Sequence, residues 1–334
     1  MIESDLKYEY HVLAGFEDSR ISPKLWNDLL TGTSDVIFMT WHWQKVWWEV
    51  FGRGELLLIV AELEGTPKMI APLFADEDGM IYLIGSGGSD YLDLIGDLCD
   101  SAILKGLLDF INQQIKNISG LIFYHMLEDS PTYRALDLAA KELGWRSNNM
   151  GEMISPMLEM KEFPELAHQA ARKKSLLRHE GWFVRNGGIT VEHLTTSEEI
   201  SIHLDEFFSQ HIARWESTPY PSLFLKSKHQ VFYQKLSQLA SHTGWFRFTR
   251  IIWNERPIAF HFGFNYKGNF FWYKPSFDIT LAKNSPGEVL LRQLFLSAQS
   301  ENSCIFDFGL GDEPFKKRFA TKTRKVISWE VYPQ

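Results

Sequence analysis

Two stretches of this chain, nearly two hundred residues apart, are built to the same plan. In EGTPKMIAPLF (64–74) and in ERPIAFHFGF (255–264) a turn ending in proline runs into a strand that contains Ile-Ala. Each sits inside three strand-length apolar runs. The first set is 56–63, 69–74 and 80–84, divided by Glu64-Gly65-Thr66-Pro67 and Asp76-Glu77-Asp78-Gly79. The second is 245–253, 257–265 and 270–276, divided by Asn254-Glu255-Arg256-Pro257 and Tyr266-Lys267-Gly268-Asn269. Apolar runs separated by such turn residues predict an antiparallel meander of three strands. A helix and a strand follow each meander, at 101–116 and 121–126 and again at 286–300 and 304–309. A supersecondary unit that recurs in this way is a duplicated core. Two cores call for two domains, and 334 residues suit two of ordinary size. The expected division is 1–160 and 161–334, with the last strand, 324–332, open to either half.

The remaining elements fit around that repeat. Helices are expected at 23–30, 41–51, 131–143, 197–215 and 226–242, and a strand at 153–160. In WHWQKVWWEVF the rings of Trp43, Trp47 and Phe51 recur every four residues, one helical stripe that either faces the core or offers a platform to a sugar or acyl chain. Gly144 is placed to stop the helix before it. The fold class is therefore α/β in the α+β sense: two tandem domains, each a mixed, mostly antiparallel sheet flanked by helices.

Charge and cysteine content narrow the partners. Net charge is 34 − 42 = −8, which disfavours nucleic acid and anionic membranes unless the basic residues cluster. They do cluster at Arg172-Lys173-Lys174 with Arg178, and at Lys316-Lys317-Arg318 with Lys322, Arg324 and Lys325, either as solvated faces or as a funnel for phosphates. Cys99 and Cys304 are too few and too distant for a disulfide framework or a metal site, and read as buried thiols in a reducing compartment. The start MIESDLKYEYHVL lacks the apolar core of a signal peptide, and no apolar stretch spans a membrane. A cytoplasmic protein is expected.

A three-strand meander, a crossover helix and a strand parallel to the last is the GNAT core order. In that arrangement the loop entering the crossover helix offers free N–H groups and the positive end of a helix dipole, which suits the pyrophosphate of an acyl-CoA. In the second half this loop is Lys283-Asn284-Ser285-Pro286-Gly287, with Pro286 expected at the first helical position, Ser285 as N-cap and Gly287 as the one glycine left of the usual glycine-rich signature. Ser285 and Gly287 are the expected cofactor-binding residues. The first-half counterpart, GSGGSDYLDLIGD (85–97), carries aspartates that would repel phosphate and suit a sugar or an amine instead.

Side-chain alternation in PIAFHFGFN puts Ala259, His261, Gly263 and Asn265 on one face. His261 then lies between small residues where a ligand could approach, and a near-neutral imidazole is a natural base. Asp307, at the end of IFD, could orient His261 or serve as base itself. Tyr273 and Asp278 follow the third strand and could line an acceptor cleft. His211 and Arg214 share a helix face.

At several of these segments the sequence resembles the CelD/BcsL family of bacterial acyltransferases of exopolysaccharide biosynthesis. The segments are SDYLDLIG, FFSQHIARW (207–215), NSPGEVLLRQLFLSA and FDFGLGDEPFKKRFA. The resemblance covers roughly 35–330, and extends to the FemAB-type aminoacyltransferases. It implies transfer of an acyl group from acyl-CoA to a sugar, amino-sugar or polysaccharide precursor, in a cleft between the domains and without a metal. By the same resemblance Asp90, Tyr91 and Asp93 bind the acceptor, His211 and Arg214 line the cleft, and Lys316 neutralises developing charge or binds a phosphate. The alternatives are a FemAB-like aminoacyltransferase using charged tRNA, which the acidic pI of about 5.8 disfavours, and a catalytically silent scaffold in an exopolysaccharide complex.

Overall fold

The computed structural model describes residues 7–31, 34–96, 98, 100–115, 118–216 and 218–333. Cys99 and Asp97 lie outside the described residues. The chain forms two compact units, one made of residues up to Ile154 together with those from Arg324 onward, the other of Ser155–Thr323.

The first unit runs β1 (Glu9–Val12), α1 (Pro23–Thr31), α2 (Trp41–Phe51), β2 (Glu55–Leu63), β3 (Thr66–Ala75), β4 (Met80–Leu83), β5 (Ile95–Gly96), α3 (Ser101–Gln114), β6 (Gly120–Leu127), α4 (Pro131–Glu142) and the first part of β7 (Arg146–Glu159). Its sheet is ordered β1-β2-β3-β4-β6, followed by the chain's last strand, while β5 pairs with β3 off that path. β2, β3 and β4 form the expected antiparallel meander, and β4 and β6 are parallel. The ring stripe of α2 faces inward: Trp43 and Trp47 are buried, and Trp47 packs 5.6 Å from Phe74 on β3. Thr40 caps this helix by accepting from the Trp43 N–H. Beyond α4, Gly144 takes φ 73°, with N–H bonds returning from Gly144 to Lys141 and from Trp145 to Ala140, a glycine-terminated helix end.

The second unit runs α5 (Pro164–Ala171), α6 (Lys174–Arg185), β8 (Thr190–Leu194), α7 (Ser197–Ser201), α8 (Leu204–Trp215), α9 (Ser227–Leu239), β9 (Phe246–Trp253), β10 (Arg256–Tyr266), β11 (Asn269–Phe277), α10 (Pro286–Ser300), β12 (Ile305–Asp307) and α11 (Pro314–Lys317), with β13 (Lys322–Tyr332) leading back to the first. Sheet order is β7-β12-β11-β10-β9-β8. β9, β10 and β11 are antiparallel, and β12 lies parallel to β11. One face buries Leu158, Phe270, Phe306 and Ala259 with apolar residues of α5, α6 and α10. On the other, Phe207 of α8 and Tyr233 of α9 interlock with Phe248, Phe260 and Phe262. Each such ring withdrawn from water is worth roughly 1.5–3 kcal/mol.

The segment expected as one helix over 197–215 is two, because Thr196 and Glu199 form a capping box that starts α7, and Asp205 and Glu206 supply a fresh acidic first turn for α8. The stretch 161–196, unassigned from sequence, supplies α5, α6 and β8.

Candidate active site

The opening in the second sheet begins where β11 changes register. On β10, Phe262 pairs with Lys274 and Phe264 with Phe271, so Gly263 alone faces Trp272 and Tyr273. This is a β-bulge, two residues opposite one, which bends the strand that carries the extra residue. β12 pairs with β11 only from Asn269↔Ile305 to Phe271↔Asp307, whereas β11 runs on to Phe277. The parallel ladder therefore stops just before the bulge, and Asp307 stands at the point where it stops.

His261 is not in contact with this opening. Its side chain is 0% exposed, it stacks on Trp272 at 5.5 Å, and its Nε2 accepts the Tyr273 N–H at 3.2 Å. The alternation correctly puts Gly263 beside it, but the free volume above that glycine is taken by the imidazole itself. A Cβ on Gly263 would lie 2.4 Å from His261 Nε2. Burial, the leading cause, pushes the imidazole down to about 3, so it is neutral at working pH. An enclosed, weakly basic histidine is no base for an incoming acceptor, which corrects the role expected of it.

Asp307 and Lys316 grip one residue from two sides. Asp307, 5% exposed, accepts the Gly309 N–H at 2.8 Å and the Ser155 hydroxyl at 3.4 Å. Lys316, only 3% exposed, reaches the Gly309 carbonyl at 3.5 Å, donates to Leu310 O at 2.6 Å and pairs with Glu313 at 2.8 Å. Lys316 is thus not the solvated lysine its neighbours suggest. Its partner Lys317 pairs with Asp312 at the surface.

Near the amino end of α10 one residue from each of the two basic clusters, Lys173 and Arg318, comes together. Pro286 occupies the first helical turn, as expected. Ser285 holds the N-cap position in the left-handed region, φ 55°, and its side chain makes no cap bond, contrary to expectation. Gly287 lies against the Phe277 ring, so that a Cβ there would sit only 3.1 Å from it, a tight contact. Arg318 Nη1 binds Glu288 at 2.8 Å and its Nη2 binds Ser175 at 2.8 Å, while Lys173 Nζ donates to the Arg318 carbonyl at 2.6 Å. His179 stands 3.7 Å from Glu288. Glu288, in the first turn of a 15-residue helix, thus faces Arg318 and His179, and Lys173 holds the backbone of Arg318.

The remaining sites fall into separate groups. Arg214 donates to Pro275 O at 2.8 Å and lies 4.5 Å over the Phe277 ring. Among the described residues it has no carboxylate partner, and burial lowers it to about 10. His211, 4% exposed, bonds Ser222 at 2.8 Å through Nδ1 and is pushed down to about 3 by burial first, then by Lys274 and Arg214. Tyr273 is buried, with Lys274 Nζ 3.9 Å above its ring. Asp278 caps the turn at 279–284 through Thr280, at 2.9 Å to its N–H. In the first unit, Tyr91 is buried against Phe38 with Arg324 4.9 Å over its ring, and Asp90 is half-buried. The Asp93 carboxyl is enclosed. It accepts from Leu94 N–H and from the Ser130 hydroxyl that caps α4, and burial, the dominant cause, raises it to about 6. Among the described residues no group of His, Cys, Asp and Glu is arranged to hold a metal ion.

Residues 170–317 match the family model of the acetyltransferase (GNAT) domain. No match is found among curated proteins. Among solved structures the fold is similar to FemX (11% identity, 98% of this chain and 97% of that one, TM-score 0.67) and to L-PGS from Bacillus licheniformis (13%, 94% and 92%, 0.57). It is also similar to a tandem GNAT protein from the clavulanic acid biosynthesis pathway (10%, 98% and 99%, 0.52). The chain has two GNAT-like units. The residues that match the family model lie within the second unit and include α10, the bulge of β11 and Asp307.

Sequence reasoning missed the bulge, since alternation assumes an unbroken register. It also missed the contact of Lys173 with Arg318, which joins one residue of each basic cluster. The spacing His-x-Gly inside a strand was the one available signal of the first.

Proposed function

We propose that this chain is an acyltransferase of the CelD/BcsL type that moves an acyl group from acyl-CoA to a hydroxyl or amine of a sugar, amino-sugar or polysaccharide precursor in the reducing cytoplasm. The observation that carries this reading is the amino end of α10, uncapped by its own Ser285 side chain, with Arg318 and His179 gathered at Glu288 in its first turn, where a pyrophosphate would compete with that carboxylate for Arg318. Backbone N–H groups, helix dipole and guanidinium together suit a pyrophosphate. The thioester would then lie along β11 where β12 leaves it. The acceptor oxygen or nitrogen forms a bond to the thioester carbon, the C–S bond breaks, and the acceptor's proton ends on the CoA sulfur. Asp307 is assigned as the group that takes that proton first, and Lys316 as the residue that fixes the loop beside it. Tyr273, Asp278, His211 and Arg214 are assigned to the acceptor side, as are Asp90, Tyr91 and Asp93 of the first unit.

A second reading, aminoacyl transfer from charged tRNA, draws support from the likeness of fold to FemX over nearly the whole chain. The two separate on thermal unfolding with acetyl-CoA, longer acyl-CoAs and free CoA, run beside a gel shift with charged tRNA. A melting shift with CoA ligands supports the first reading. No shift with any of them, together with a tRNA complex, replaces it with the second. Neither response leaves a scaffold.

A further inference from the structure

A β-bulge frees a backbone N–H that a regular ladder would have used. In β11 that group is Tyr273 N–H, and it donates to a side chain, His261 Nε2, at 3.2 Å. Three features make the bond specific. The imidazole is fully enclosed and stacks at 12° on Phe270 and at 20° on Trp272, which fixes its plane. Gly263, the one residue opposite the bulge, makes room for the ring, since any Cβ there would sit 2.0 Å from His261 Cε1. The bulge itself lies one step beyond the last β11–β12 pair, Phe271↔Asp307.

We propose that His261 is a positioning residue: it holds the bulge of β11 through Tyr273 N–H, and so sets the strand edge opposite Asp307 at which the acyl group is transferred. The imidazole works as a hydrogen-bond acceptor, in its neutral form, and neither meets the substrate nor exchanges a proton with it. The histidine and Gly263 act as one device. The kinetic part of this inference rests on the acyl-CoA reading, and the hydrogen bond does not.

The test uses the full chain and three variants. A glutamine at 261 places its amide oxygen near the position of Nε2, whereas asparagine reaches only as far as Nδ1. His261→Gln should therefore keep the bond and His261→Asn should lose it. Gly263→Ala keeps the histidine but drives its ring away. Hydrogen exchange at the Tyr273 amide should be about tenfold faster or more in His261→Asn and Gly263→Ala than in the wild type, the loss of one buried hydrogen bond, and close to wild type in His261→Gln. Acyl transfer, normalised to the fraction that binds CoA, should fall about 100-fold in the two disrupted variants, as expected of an ångström-scale misplacement. It should be restored in His261→Gln, with KM for acyl-CoA nearly unchanged because the phosphates are held at α10. Unchanged exchange at Tyr273 in both disrupted variants overturns the clamp, and so does wild-type transfer in both alongside altered exchange. If exchange responds as expected while the wild type binds no CoA, the clamp stands and the donor reading fails.

Discussion

The two units repeat one plan, yet the helix that follows the meander begins differently in each. In the first, Asp100 closes the amino end of α3 by accepting the Ala102 N–H at 2.9 Å. A side-chain acceptor there satisfies one of the exposed N–H groups. In the second, the side chain of Ser285 makes no cap bond, and Glu288 in the first turn of α10 pairs instead with Arg318 and stands 3.7 Å from His179. The middle strands diverge in step. Aligned on their Ile-Ala pairs, Leu73 of β3 occupies the place of His261 of β10, and Leu73 makes an ordinary ladder pair with Leu83. Duplication thus supplied two frames, and one of them was modified at two linked points, the helix end and the bulge. The first unit has a sealed frame with apolar pairing, as a scaffold requires. The second has buried histidines and a helix end without a side-chain cap, features that cost stability.

The largest expected difference is in acid. His211 and His261 are each held down to about 3 in the folded second unit. Unfolded, they take a proton below about 6.5, so the stability they contribute is complete above that pH and is lost as pH falls towards 3. At pH 5 the two together should cost the second unit about 4 kcal/mol. Glu301, held below its usual range with Arg247 among its hydrogen-bond partners, acts in the same direction further down. In the first unit Asp93 has the opposite sign. Its folded pKa of about 6 lies above the unfolded value, so its ionisation penalty is present above 6 and is relieved as pH falls from 6 to 4. That should return about 1.4 kcal/mol to the first unit between pH 7 and 5. Hydrogen exchange followed on peptides of each unit at the two pH values reads both slopes. Equal slopes would break the contrast, and His261→Gln should remove one half of the second unit's histidine loss.

Next in size is the donor. Acyl-CoA at a hundred times its dissociation constant should stabilise the wild type by about 2.7 kcal/mol. Gly287→Glu, which puts a carboxylate on the open helix end and a side chain against Phe277, should abolish that melting shift. Arg318→Gln should weaken CoA binding by about tenfold, as expected for one lost charge-assisted hydrogen bond. A binding isotherm for Arg318→Gln that overlays the wild type would move the phosphate away from α10.

Most of the fold was legible because it rests on local signals. Glu64-Gly65-Thr66-Pro67 and Tyr266-Lys267-Gly268-Asn269 fix turns whatever surrounds them, and the apolar runs between them have only one way to pair. The α+β class and the tandem GNAT-like plan follow. The site was legible only in part, since its chemistry depends on contacts between distant residues. His261 sits in the expected strand on the expected face, but its burial beneath Trp272 and its bond across to Tyr273 belong to the tertiary structure. Ser285 and Pro286 sit at the start of α10 as their types predict. The cap bond fails because Ser285 is left-handed, which no pattern of residue types reveals. Arg318 and Lys173, 145 residues apart, look like two solvated patches until α6 packs on α10.

The smallest effect tests the comparison at its root. If α3 is sealed by its cap and α10 is not, the two caps should differ in worth. Asp100→Ala removes a side-chain acceptor that satisfies the Ala102 N–H and complements the helix dipole, and should cost about 1 kcal/mol of unfolding free energy. Ser285→Ala removes a hydroxyl that makes no cap bond, and its backbone strain at φ 55° is carried equally by either residue. It should change stability by no more than a few tenths of a kcal/mol, since no hydrogen bond is lost. Urea melts of the two variants decide the point. Similar losses would mean that Ser285 caps α10 in solution as Asp100 caps α3, and the open end on which the donor site depends would be closed by the protein itself until a ligand displaced the hydroxyl.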